Sequence, residues 1–204
     1  MTQVVDLLGY ERIISLAAGF TFAPARERFI FVRHGETEGN RTRVYQVPHI
    51  PLNATGEAQA QKAAHALAKT RIGKLVASPM ARAWRTANLV GEQHKLHPEA
   101  DGALNERFYV ALWDTPIGEK FDWDVDPPGC EPLATFVNRA AHSLMHILSD
   151  NTPDGETVIV AHGGILLVAC ALTGVTLDNT HRRNAVPLRF ERLNGTWSAT
   201  PIGG

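Results

Sequence analysis

The feature that most limits the fold is a set of short, mainly apolar runs, each passing through a polar turn into a helix-forming stretch. Phe29-Ile30-Phe31-Val32, Lys74–Ala77 and Thr157–Ala161 read as strands covered on both faces, because their apolar residues do not alternate with polar ones. Thr55 opens a helix through Lys69, with Glu57 in the first turn where the helix dipole favours an acid. Ser78-Pro79 opens another, with serine as cap and proline at the first helical position. Leu133, Phe136, Val137, Ala140, Leu144, Ile147 and Leu148 hold the 3.6-residue period, and Ile165–Leu172 forms an apolar helix after Gly163-Gly164. Strands alternating with helices predict an α/β fold, a three-layer sandwich whose mostly parallel central sheet carries helices on both faces. The tail, Leu188–Leu193 and Thr196–Thr200 around Asn194-Gly195, reads as a hairpin that adds an antiparallel edge strand.

Residues 29–204 are expected to make one domain, preceded by an extension, residues 1–28. In that extension Val4, Leu7, Leu8, Ile13, Ile14 and Leu16 line one face of a short helix, Gly19 ends it, and an irregular link follows. The extension packs on the domain or on a second subunit, which leaves a homodimer open. A net charge of -1 gives no basic footprint for nucleic acid and no polybasic membrane patch. No apolar run is long enough to span a bilayer, and no basic region precedes the first apolar stretch as in a signal peptide. Cys130 and Cys170 belong to no CxxC pair, so a reducing, cytoplasmic setting is expected.

In parallel sheets the ligand crevice lies beyond the carboxyl ends of the strands. Three segments place unusual polar residues there. His34 follows the first strand, flanked by Arg33, whose guanidinium fork matches phosphate oxygens, and by Gly35, which allows close backbone approach. His162 follows the third strand, and the amides at Gly163, where a helix starts, suit an anion. Arg82 falls in the first turn of a helix, where the dipole disfavours a cation and a bound anion would offset it. Arg85, one turn on, is a further candidate.

These segments carry a family resemblance. Arg33-His34-Gly35-Glu36-Thr37-Glu38-Gly39-Asn40 resembles the RHG signature of the histidine phosphatase superfamily, the group that includes cofactor-dependent phosphoglycerate mutase and fructose-2,6-bisphosphatase. Four further segments agree in order: Pro51–Ala60, Ser78–Ala87, Leu104-Asn105-Glu106 and Ala161–Gly164. The resemblance implies a small-molecule phosphate ester as substrate, no metal and no cofactor. It implies that His34 attacks phosphorus, that Arg33, Arg82 and His162 surround the phosphoryl oxygens, and that Glu106 protonates the leaving oxygen and then activates water. Asn40 and Glu36 are the polar contacts expected from the first loop.

The sequence departs from the family pattern at Val47 and His49, at Arg85 where glutamine is usual, and at Pro132 where serine is usual. Between Glu106 and Glu131 lies only a short loop rich in tryptophan and aspartate, where mutases of this kind carry a long insertion. A short cover argues for hydrolysis over mutase chemistry, which must exclude water. Two other readings stay in play: a metal hydrolase using His142 and His146, spaced i, i+4, and a phospho-ligand binding protein without activity.

Overall fold

The computed structural model describes residues 8–119, 121–149, 154–176, 178 and 181–203. Six strands form one mixed sheet. In chain order they are β1 (Arg28–Arg33), β2 (Ile72–Ala77), β3 (Glu99–Ala100), β4 (Glu156–Ala161), β5 (Pro187–Leu193) and β6 (Thr196–Pro201), arranged β3-β2-β4-β1-β5-β6. Neighbours from β3 to β1 run parallel, and β5 and β6 run antiparallel at one edge. Asn194 and Gly195 both take positive φ, 51° and 80°, which is the geometry a two-residue hairpin turn needs.

The period of two along each strand divides the core. Phe29, Phe31, Ile159 and Ala161 point to one face, where α1 (Tyr10–Ala18), α5 (Leu133–Ser149) and α6 (Gly163–Thr173) cover them. Ile30, Val32, Val158 and Val160 point to the other, under α3 (Ala54–Leu67) and α4 (Ala81–His94). Burying both faces is what removes apolar–polar alternation from the strand sequences.

Several local expectations change. α3 starts one residue before Thr55 and is capped by Asn53, whose side chain accepts from Gly56 N–H at 2.8 Å. α4 starts at Ala81: Met80 stays extended, and Ser78 Oγ accepts from Met80 N–H at 3.2 Å in a turn ahead of the helix. The short α2 (Glu38–Thr42) and β3 carry too little periodic sequence to be read. In α1 the buried positions are Ile13 and Ala17, while Ile14 faces solvent; Val4 and Leu7 lie outside the described residues. The link after α1 is irregular, and α1 shares one core with α5 and α6. Among the described residues no helix is long and apolar enough to cross a membrane.

Candidate active site

The parallel pairing of β1 with β4 builds the centre of the site. Its register sets Arg33 opposite Ala161, so the next residues of both strands, His34 and His162, emerge side by side. Their ring centroids are 5.1 Å apart. His34 Nδ1 lies 2.7 Å from the Gly35 carbonyl oxygen. A carbonyl only accepts, so Nδ1 carries the proton and Nε2 keeps its lone pair. Gly35 is needed for the close approach of the first turn of α3, since a Cβ there would come within 2.4 Å of the Gly56 carbonyl oxygen. Its own N–H donates to Thr86 Oγ1.

His162 lies one layer deeper. It is completely buried and does not itself form the cavity wall. Ser78 Oγ donates to Asn105 Oδ1 at 2.7 Å, so it meets His162 Nε2, 2.9 Å away, as an acceptor, and Nε2 carries the proton. His162 Nδ1 is then left buried with no partner among the described residues. Both imidazoles titrate well below the usual range. For His34 the causes are burial, then Arg82 and Arg33; for His162 they are burial, then Arg82, His34, Arg33 and Arg139. At neutral pH both rings are therefore uncharged.

Arg33 and Arg82 supply the positive charge. Arg82 is buried, and burial brings its pKa down to about 10 against the opposing pull of Glu106. It donates to the Val47 carbonyl at 3.2 Å, while its Nε has no partner among the described residues. Arg33 donates to the Arg182 carbonyl at 2.8 Å, and its Nε too is buried with no partner among the described residues. Orphaned guanidinium donors are costly unless something occupies the space before them. Glu106 closes the cradle. Its carboxylate accepts from Arg107 N–H and from Gly164 N–H, both at 3.0 Å, the second at the start of α6. A Cβ on Gly164 would fall 2.3 Å from Glu106 Oε1, so glycine there lets the carboxylate reach the helix.

Arg33, His34, Arg82, Glu106, Asn40 and Gly163 all line one cavity of about 560 Å³. Asn40 Oδ1 accepts from Thr37 N–H in a capping box, which turns its amide nitrogen outward as a spare donor. Glu36 and Arg85 do not join them. Glu36 accepts from Asn53 at 2.9 Å and stands off the cavity wall, where a carboxylate avoids repelling an anion. Arg85 is half-exposed and paired with Glu57 of α3 at 2.9 Å. His142 is exposed on α5 with Nδ1 against the Asn138 carbonyl, and no group of three or more potential metal ligands clusters among the described residues.

Other residues enter that the sequence did not single out. Arg182 lines the cavity, and Asn184 donates to the His34 carbonyl at 2.9 Å. Arg139 holds the loop that carries Glu106, donating to the carbonyls of Ala103, Asn105 and Glu106 and pairing with Glu131 at 2.7 Å.

A neutral imidazole with an open nitrogen, facing two guanidinium groups and a carboxylate at the mouth of a parallel sheet, describes a site built for an oxyanion. Residues 29–198 match the histidine phosphatase superfamily (branch 1), and the chain belongs to it. It is 33% identical over 172 residues to the uncharacterized phosphatase PhoE of Bacillus subtilis (strain 168), covering 81% of this chain and 89% of that one. It is also 33% identical over 183 residues to agropine synthesis reductase of Rhizobium rhizogenes, covering 84% of this chain. The chain spans only 41% of the length of that relative, and 40% of a second bearing the same name. Among solved structures, mycobacterial glucosyl-3-phosphoglycerate phosphatase in complex with VO3 shares the fold, with a TM-score of 0.67 at 23% identity over 86% of this chain and 97% of that one.

Proposed function

We propose that this chain hydrolyses phosphomonoesters through a phosphohistidine on His34. The observation that carries the reading is the state of that ring: Nδ1–H engaged by the Gly35 carbonyl, Nε2 open beside Arg33 and Arg82. The names of the B. subtilis and mycobacterial relatives, both phosphatases, point the same way.

In the first step the Nε2 lone pair attacks phosphorus, and the bond from phosphorus to the ester oxygen breaks. The bonding electrons go to that oxygen, which takes a proton from Glu106, whose carboxylate has accepted it from the bound monoanionic ester. Charge on the three equatorial oxygens is met by the free Nε donors of Arg33 and Arg82, the Asn40 amide and the α6 N-terminus at Gly163, and His162, once protonated, adds positive charge from the layer behind. In the second step Glu106, now a carboxylate, removes a proton from water. The oxygen attacks phosphorus, and the electrons of the P–N bond return to Nε2. Ester and water have become alcohol and phosphate, with enzyme restored. These protein donors supply the charge stabilisation, so no metal is called for. The residues of this cradle all come from one chain. The two free cysteines fit a reducing, cytoplasmic setting.

The test is phosphate release from a panel of phosphomonoesters, with and without a chelator, beside His34→Ala. Turnover should survive the chelator and vanish in the variant. Turnover retained by His34→Ala would overturn the assignment of the nucleophile.

A further inference from the structure

The phosphate cradle occupies one end of the cavity, and the other end has a different character. Tyr45, Tyr109, Trp113, Phe121, Trp123 and Leu167 line it, joined by Leu8 from the segment just before α1. The rings form a continuous wall. Tyr45 meets Tyr109 at 4.9 Å, Tyr109 meets the edge of Phe121 at 5.7 Å, and Phe121 meets Trp123 edge-on at 4.9 Å. Trp123 in turn stacks on Phe136 of α5, at 6.1 Å, which anchors the wall in the core.

The charged groups at this end are engaged by the protein itself. Arg107 has a fully buried side chain and donates to the Glu131 and Val125 carbonyls, to Tyr109 Oη and to Asp126. Arg43 donates to the carbonyls of Gly118 and Glu119. Glu119 adds negative charge to the same lining. Arg182, the other arginine in the lining, belongs with the cradle, where its carbonyl accepts from Arg33, so a second phosphate or a carboxylate seated against the aromatic wall would meet guanidinium groups already engaged among the described residues. A cavity of about 560 Å³ is also large for a phosphate alone and ordinary for an organic ligand.

We infer that this site selects phosphomonoesters whose alcohol portion is a flat apolar ring system, seated against the wall of Tyr45, Tyr109, Phe121 and Trp123. This rests on the hydrolase reading above and adds a substrate class to it. Stacking and edge-on contacts give such a ring both area and orientation, and a pre-formed wall lowers the cost of ordering it.

The experiment compares 2-naphthylmethyl phosphate with glycerol 3-phosphate on the full chain. Both release alkoxides, so the comparison reads binding and not the quality of the leaving group. The expected result is kcat/KM at least ~10-fold higher for the naphthylmethyl ester, and a ratio that falls about tenfold in Phe121→Ala and less in Phe121→Leu. Glycerol 3-phosphate turned over as well or better by the wild type would overturn the inference while leaving the hydrolase intact, and so would a ratio untouched by Phe121→Ala. If neither ester nor 4-nitrophenyl phosphate is hydrolysed, the hydrolase reading fails and takes this inference with it.

Discussion

The ring centroids of His34 and His162 stand 5.1 Å apart, both rings neutral, their pKa values depressed first by burial and then by the guanidinium groups of Arg82 and Arg33. A dianion placed among these groups reverses the balance, because it favours the protonated imidazole. Sulfate makes a clean probe, since it does not titrate near neutral pH. Calorimetry of sulfate binding at pH 6.5, in buffers of different ionisation enthalpy, should report net proton uptake, and His162→Gln should reduce it. Binding with no proton uptake would contradict the electrostatic account.

Glu106 separates the two chemical steps. With 4-nitrophenyl phosphate the leaving group needs no proton, so Glu106→Gln should keep much of the first step and lose the second. The glutamine oxygen can still accept from Gly164 N–H. Phosphoenzyme should accumulate, detected by mass spectrometry of chain kept alkaline, while steady turnover falls by ~10²–10³-fold. Equal loss on this ester and on an alkyl ester, with no trapped phosphate, would argue against the acid-then-base role.

The sheet and the two strand-end histidines were legible because each depends on a short run: a buried strand, then His-Gly. Other parts depend on contacts distant in sequence. Ser78 reads as a helix cap, yet besides the Met80 N–H its hydroxyl serves Asn105 and His162, both far along the chain. Glu36 and Arg85 sit within motif segments, but their side chains are captured by Asn53 and Glu57. Arg182 and Asn184 belong to no motif. They reach the site because β5 is antiparallel to β1, which brings the residues ahead of Pro187 beside the end of β1 at Val32. The Arg182-Arg183-Asn184 run just before a strand is the signal that would have found them.

Stability should depend on pH through the same two rings. Their folded pKa values are depressed, so their contribution is present above the unfolded value near 6.5 and is lost as pH falls below it. The unfolded chain then binds protons that the folded rings refuse, and each histidine costs about 1.4 kcal/mol per pH unit. Urea unfolding between pH 7 and pH 5 should show this loss, and His34→Asn with His162→Asn should flatten it. The same slope in the double variant would show that other groups govern acid sensitivity.

The segment ahead of α1 braces the aromatic wall, and Gly9 is where it does so. Trp123 N–H donates to the Leu8 carbonyl at 3.0 Å, and Arg12 donates to the Asp124 carbonyl and to Asp126. Gly9 takes φ of 77°, and a Cβ there would lie 2.3 Å from Asp124 N and 2.4 Å from Asp122 Oδ1. Both contacts are with the loop that carries Trp123, and backbone nitrogen cannot swing aside. Gly9→Ala therefore adds a left-handed backbone penalty of about 1–2 kcal/mol to a steric push on that loop. The melting temperature should drop by several degrees, on the order of 2–8 °C. The kcat/KM ratio of 2-naphthylmethyl phosphate to glycerol 3-phosphate should fall at a temperature where the variant is fully folded. A variant that melts lower but keeps the wild-type ratio would show that the segment stabilises the chain without shaping the pocket.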